Sequence, residues 1–503
     1  MVSNASKFML VQGGLVLDAD RNDAEEADIL VQDDTIREIG KGLSAPAEAQ
    51  RINANRRIVI PGLVNSHTHS QGNLAKAHGD RWNLELLLNN GPWMSAQRNP
   101  EDKYLSAALG AAEMIRRGCT ACYDLFAEIP HVTVEGLHAV AQAYADVGMR
   151  AVVAPMLADI TFHQSIPGLT DAMQGEDARQ VREMRAPNYE DLTSVCRSAL
   201  KGWTFGAKGI ALNIAPTIPL LCTDDFLRSC RELSDEFGVG IHTHMAESRV
   251  WSRLGELRYG CSLAKHFDKF GLISPRFTAA HGVWLSDTDL AMMAEKGASV
   301  AHNPLSNMRL GSGLADVPAM RRMGVNVGIG TDSCTCSDTL SMFESMRLAS
   351  YTSRVLDYEV TQWLRTDEVF RMATLGSATA LGWGTSVGKL AVGYKADLVF
   401  LDRDDVGLVP LHNVTNQLVH CVDSSAVRSV VVGGKIIYNN GDFLTVDYPG
   451  LVRRVESASD RLLADNAEQR NWASRLEPLV VSVCSGLARQ KPHRNSEGLP
   501  DAQ

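Results

Sequence analysis

Short apolar runs and longer amphipathic stretches alternate through the middle of this 503-residue chain. The eight runs are RIVIPGLVNSHTH, GCTACYDLF, MRAVVAPML, GIALNIAP, VGIHTHMAE, RFTAAHG, ASVAHNP and VNVGIGTDS. Helical patterns such as DKYLSAALGAAEMIRRG, TDDFLRSCRELSDEFG and LADVPAMRRMG lie between them, several with Asp or Ser starts and Gly stops. Such alternation predicts a parallel sheet, because parallel neighbours need a long crossover and a helix supplies one. Eight strand–helix units over roughly 270 residues fit a closed (β/α)8 barrel. A doubly wound open sheet would instead show a Gly-rich phosphate turn after its first strand, and none follows RIVIPGLV.

The two ends of the chain have a different texture. KFMLVQGGLVLD and ADILVQDDTIREIG read as strands, the second as a hairpin with Asp-Asp at its tip. The same texture returns in VGKLAVGYKADLVFLD and VRSVVVGGKIIYNNGDF. The expected fold is therefore α/β: a TIM-like barrel with a small β-sandwich domain built from both termini. Residues 1–61 and 385–445 would form the sandwich and 62–384 the barrel, with 446–503 a helical extension and flexible tail.

Composition excludes several functions. Net charge is −10 with no basic block, so an electrostatic footprint for nucleic acid is missing. No apolar run has the length of a membrane span and no signal peptide is visible, so no membrane partner and a cytoplasmic protein are expected. The ten cysteines form only two close pairs, Cys119/Cys122 and Cys334/Cys336, and are expected to be free thiols, not zinc knuckles.

Active sites of such barrels lie at the C-terminal ends of the strands. Read there, the chain offers His67 and His69, then His242, His244 and Glu247, then His281, His302 with Asn303, and Asp332. Six of the 14 histidines stand at four of the eight ends, a concentration that scattered core histidines would not produce. His67 and His69, two apart, share one strand face. Three imidazoles and a carboxylate suit Zn²⁺, with Fe²⁺ or Mn²⁺ also possible. Such an ion lowers the pKa of a bound water from 15.7 to roughly 7, and the reaction needs a base for the water and an acid for the leaving group.

The motifs PGLVNSHTH, IHTHMAES, AHG, HNPLSNMRLGSG, GIGTDS and ATLGSATALGWGTSVGKLAVGYKADLVFLD occur in this order over roughly residues 9–440. In this the chain resembles the amidohydrolase superfamily, in its cytosine-deaminase-like and chlorohydrolase-like branch. The resemblance implies one divalent metal per chain, held by His67, His69, His244 and Asp332, with Asp332 also the base. It implies Glu247 as the proton-shuttling acid and His281 as the residue that orients the water and polarises the scissile carbon's substituent. No lysine ends GIALNIAPTIP, so a single metal is implied and not a lysine-bridged pair. The reaction implied is attack of hydroxide on an sp² carbon of a small nitrogen heterocycle, releasing ammonia or an amine, by a homo-oligomeric enzyme. The same site would serve an amide, urea or carbamate, or a different ring substituent.

His242 shares a face with His244, and only the His-x-x-Glu spacing selects the latter, so His242 is read as structural. His302, before an Asn-Pro turn, is read as supporting the ligands. Asp124 is open between structural and substrate-facing roles. Trp82, Trp93, Phe126, Phe162, His78 and His163 follow the first three strands, where they could wall a planar substrate, and Asn303 is a further candidate contact. Nucleoside deaminases of the branch usually carry a Trp-Leu pair and a WPxE-like segment after the first strand. Here Trp82 precedes Asn and no acid follows Pro92-Trp93 at that spacing, which argues against a ribosyl substrate. GTSVG, Gly384 to Gly388, matches a serine-hydrolase pattern but lacks the strand before and helix after that the pattern requires. The other zinc-deaminase architecture needs a Pro-Cys pair, and the chain contains none.

Overall fold

A computed structural model describes residues 7–489. The N-terminal strands are β1 (Phe8–Val16), β2 (Glu25–Gln32), β3 (Thr35–Gly40), β4 (Gln50–Asn53) and β5 (Arg57–Pro61). The barrel follows with β6 (Leu63–Thr68), β7 (Cys119–Phe126), β8 (Arg150–Leu157), β9 (Ile210–Leu212), β10 (Ala215–Pro216), β11 (Ile241–Met245), β12 (Phe277–His281), β13 (Ser299–His302) and β14 (Asn326–Ile329). The chain then returns to the terminal sheet through β15 (Leu398–Asp402), β16 (Val427–Val432), β17 (Lys435–Asn439) and β18 (Asp442–Phe443).

All eight expected barrel strands are present and pair in parallel, β6 to β7 to β8 to β9 and β10, and β11 to β12 to β13 to β14. The fourth is split by Asn213 and Ile214. There Asn213 bonds sideways, its Nδ2 donating to Tyr123 Oη (2.7 Å) and its Oδ1 accepting from the Gly240 N–H (2.9 Å). The ring closes at two junctions, with His242 N–H bonded to the Ile214 carbonyl (3.1 Å) at one and Asp332 N–H to the His67 carbonyl (2.9 Å) at the other. Nearly every strand residue is buried on both faces, as a parallel sheet wrapped in helices requires.

Local sequence explains where the helices begin and end. Asn99 and Asp102 form a reciprocal capping box with Pro100 in the first turn of Pro100–Arg116. Thr223 caps Asp224–Phe237, which stops at Gly238 in the left-handed conformation.

The terminal strands make one continuous sheet in the order β18-β17-β16-β15-β5-β1-β2-β3, with β4 on β1. Asp33, at φ 56°, turns the expected β2–β3 hairpin. The sheet curls so that β3 meets the approach to β15, with Ile36 N–H bonded to the Tyr394 carbonyl at 2.9 Å. Met9, Val11, Ile29, Val59, Leu398, Phe400 and Val431 fill the space between, a dry core of its own. Arg150 at the start of β8 joins this sheet to the barrel: its Nε donates to Asp397 Oδ2 at 2.8 Å. The extension forms two helices, Tyr448–Asp465 and Ala467–Arg489. The expected tail beyond them lies outside the described residues.

Candidate metal centre and substrate cavity

His67 lies within β6 and His69 just past its end, where a tight turn over Ser70–Ala75 begins. His244 comes from β11, Glu247 from the turn after it, and His281 is the last residue of β12. Asp332 stands beyond the end of β14. His281 (φ 71°) and Asp332 (φ 63°) both occupy the left-handed region, unusual for residues with a Cβ. Their neighbours hold them there: Gly282 N–H reaches the Met245 carbonyl (3.1 Å), and Ser333 N–H donates to Asp332 Oδ1 (2.7 Å).

The ring nitrogens converge. His69 Nε2 and His244 Nε2 are 3.2 Å apart, and Asp332 Oδ1 is 3.2 Å from His69 Nε2 and 3.6 Å from His67 Nε2. His69 Nδ1 faces the Leu125 carbonyl at 2.7 Å and His244 Nδ1 the Thr217 carbonyl at 2.6 Å. A carbonyl only accepts, so both rings carry their proton on Nδ1 and point an Nε2 lone pair at the same spot. Two lone pairs at that separation repel unless a cation or proton lies between them. His67 is buried with neither ring nitrogen hydrogen-bonded. Ligand atoms of His67, His69 and His244, and of His67, His281 and Asp332, each lie within 4.8 Å of one another. The donor set therefore fits a divalent cation.

The electrostatics separate the three rings: burial lowers all of them, but at His69 the adjacent Asp332 outweighs it and raises the pKa. Burial, reinforced by neighbouring histidines, pushes His67 well below its ordinary value and His244 down to about 3, leaving both neutral as ligands must be. Burial works against the Asp332 carboxylate, but the adjacent His69 ring and the neighbouring imidazoles outweigh it and hold it well below the usual range. Glu247 goes the other way. Burial first, then the charges of Asp332 and Glu85, raise it well above the usual range. Two carboxyls in one site are thus driven in opposite directions, Asp332 toward the ionised form and Glu247 toward the protonated one. His281 bridges them, its Nε2 lying 3.5 Å from Glu247 Oε2 and 3.7 Å from Asp332 Oδ2. Its Nδ1 donates to Asn307 Oδ1 at 2.9 Å, which fixes the ring.

The other candidates divide. His242 is buried one layer deeper, its ring 4.4 Å from Tyr123 and 5.0 Å from His67. His302 is buried as well, and the turn expected after it is a short helix, Pro304–Arg309. Asp124 is structural, accepting from Ser70 N–H (2.8 Å) and Tyr144 Oη (3.0 Å) behind His69.

A cavity of about 450 Å³ opens beside His69, His244, Glu247 and Asp332. Phe162 and His163 line it, whereas Trp82, Trp93, Phe126 and Asn303 do not. Trp82 instead covers Gly79, where a Cβ would meet its ring at 2.0 Å. Trp93 packs with Ala75, Met94 and Ala473, its Nε1 donating to Asn90 Oδ1 (2.8 Å). Phe126 is part of the main hydrophobic core, and Asn303 lies behind His281. An aromatic side chain gains by packing against apolar neighbours wherever they lie, so position after a strand does not by itself place these three rings in the cavity. Gln71 and Asn307 were not among the candidates, although Gln71 stands two residues past PGLVNSHTH and Asn307 lies inside HNPLSNMRLGSG. The backbone acceptors at Leu125 and Thr217 have no signature in sequence.

The amidohydrolase family profile matches residues 58–437. The chain is 32% identical over 452 residues to a 5'-deoxyadenosine deaminase of Methanosarcina mazei, covering 90% of this chain and 96% of that one. It is likewise 32% identical over 465 residues to a 5-methylthioadenosine/S-adenosylhomocysteine deaminase of Symbiobacterium thermophilum, covering 91% and 99%. An adenosine deaminase from Xanthomonas campestris with bound zinc superposes with a TM-score of 0.77 at 27% identity, covering 91% of this chain and 98% of that one. A triazine hydrolase from Arthobacter aurescens shares the fold, with a TM-score of 0.81 at 24% identity, covering 90% and 100%. By its matched domain and these relatives, the chain belongs to the amidohydrolase family and is a hydrolase acting on carbon–nitrogen bonds.

Proposed function

We propose that the protein deaminates a small aminated nitrogen heterocycle at a single zinc ion held by His67, His69, His244 and Asp332. The observation that carries this reading is the convergence of two imidazole Nε2 atoms 3.2 Å apart beside Asp332, with the buried Glu247 carboxyl, its pKa raised, across the site. A bound divalent cation supplies the Lewis acidity that makes water a competent nucleophile near neutral pH. Asp332, ionised, accepts the proton that water gives up. Glu247 holds a proton at neutral pH and delivers it to the departing nitrogen. His281, with Nδ1 committed to Asn307, turns Nε2 to the space between the two carboxyls and orients what lies there. The relatives named for adenosine derivatives make an aminopurine the first ring to test.

The test is elemental analysis of wild type and Asp332→Ala, paired with ammonia release from a panel of aminated heterocycles. About one zinc per chain is expected, with both metal and ammonia release lost in the variant. Metal-free protein purified without chelator would overturn the assignment. Metal with no ammonia from any ring amine would move the reaction to an amide, urea or carbamate.

A further inference from the structure

Apart from the groups around the metal centre, the cavity wall is mostly apolar. Beside His69, Gln71 accepts the Ala127 N–H on its Oε1 at 3.1 Å. That contact turns the amide nitrogen the other way, where Met156 Sδ at 4.0 Å is a poor acceptor. The Gln71 NH₂ is left to face the cavity. Much of the remaining wall is built of Leu84, Leu88, Met94, Ile160, Phe162 and Leu192.

Several of the polar side chains that line the cavity with them, or lie behind it, already have partners, although Ser95, His131 and Arg185 also border it. Glu128 takes the ammonium of Lys103 on its carboxylate and accepts both the N–H and the hydroxyl of Thr133 at 2.9 Å. Thr161 Oγ1 caps the Gln164 N–H, and His163 Nε2 lies 3.3 Å from Asn89 Oδ1. The acid of helix Leu84–Ser95, Glu85, turns away from the cavity and accepts from Ser248 Oγ at 2.8 Å. A ribose laid against those six apolar side chains would bury its vicinal hydroxyls without acceptors, and each buried unpaired hydroxyl weakens binding by roughly tenfold. An alkyl or aryl group in the same place loses nothing and dries the wall.

Resting on the deaminase reading, we propose that the heterocycle carries an uncharged apolar substituent, alkyl or aryl, in place of a hydroxylated sugar. That group lies against Leu84, Leu88, Ile160 and Phe162, while Gln71 Nε2 donates to a ring nitrogen or carbonyl beside the reacting carbon.

The test compares zinc-loaded enzyme on 9-benzyladenine against adenosine and on 1-benzylcytosine against cytidine, by ammonia release and by calorimetric binding. At least one benzyl compound is expected to exceed its riboside about tenfold in kcat/KM. Leu88→Asn should pull that ratio toward one, and Gln71→Leu should lower kcat/KM on the benzyl compound about tenfold with zinc content unchanged. Ribosides turned over as well as or better than benzyl compounds would overturn the apolar wall and leave the deaminase reading intact. If no compound releases ammonia, the deaminase reading fails, and binding decides the wall separately. Tighter binding of the benzyl compounds would then uphold it, and equal or weaker binding would overturn it.

Discussion

At the residue scale, two carboxyls of similar intrinsic acidity are given opposite charge states by their surroundings. Glu247→Gln keeps the shape but removes the transferable proton, so kcat should fall by roughly 10²–10⁴ while zinc content stays at wild-type level. Activity lost together with zinc would mean that Glu247 is a ligand instead. Gly330 is a second sensitive position, because a Cβ there would lie 2.2 Å from Asn303 Oδ1 and 2.9 Å from His67 Cβ. Gly330→Ala must move His67, and both weaker zinc retention and a lower Tm are expected. His163 gives a pH dependence away from the metal. Burial depresses it to about 4, so the folded protein stays uncharged there while the unfolded chain takes up a proton below about pH 6.5. A group that binds protons more tightly when unfolded makes stability fall as the pH falls. The sum is about 2 kcal/mol lost between pH 7 and pH 5. Urea midpoints for wild type and His163→Gln at those two pH values would reveal it, as a shallower slope in the variant.

At the scale of elements, the last helix, Ala467–Arg489, lies outside the residues that the family profile matches. It braces the helix that carries part of the cavity wall. Asn89 Nδ2 donates to the Ala473 carbonyl at 3.0 Å, Asn90 Nδ2 reaches Glu477 Oε1 at 3.0 Å, and the Trp472 ring lies 5.8 Å from that of His163. Trp472→Ala removes a buried indole, a loss of about 3–5 kcal/mol in stability. If the helix shapes the cavity and not the chemistry, KM should rise more than kcat falls in the folded variant. Steady-state kinetics below its melting range would separate the two. The barrel's alternating strands and helices could be read from sequence because burial period and cap residues repeat at each unit. This bracing could not, since the partners of Asn89 and Asn90 are almost four hundred residues away and nothing local marks them.

At the scale of the whole molecule, two hydrophobic cores meet across the Arg150–Asp397 ion pair, whose carboxylate is nearly inaccessible. Asp397→Ala would strand a largely buried guanidinium, and a loss of about 3–5 kcal/mol is expected, with zinc content unchanged in the protein that folds. Calorimetry and elemental analysis of the same preparation check both halves of that statement. The sequence by itself determined the eight-unit alternation, the β-rich ends and which side chains crowd the strand termini. Those follow from short-range periodicity and from residue chemistry, which a chain displays without being folded. Only the tertiary structure decided that Trp82, Trp93 and Phe126 pack away from the cavity, that burial and neighbouring charge push Asp332 and Glu247 in opposite directions, and that Gln71 lines the cavity. Each of these depends on what lies across a gap from the residue, and neighbours in space are set by barrel closure, not by order along the chain.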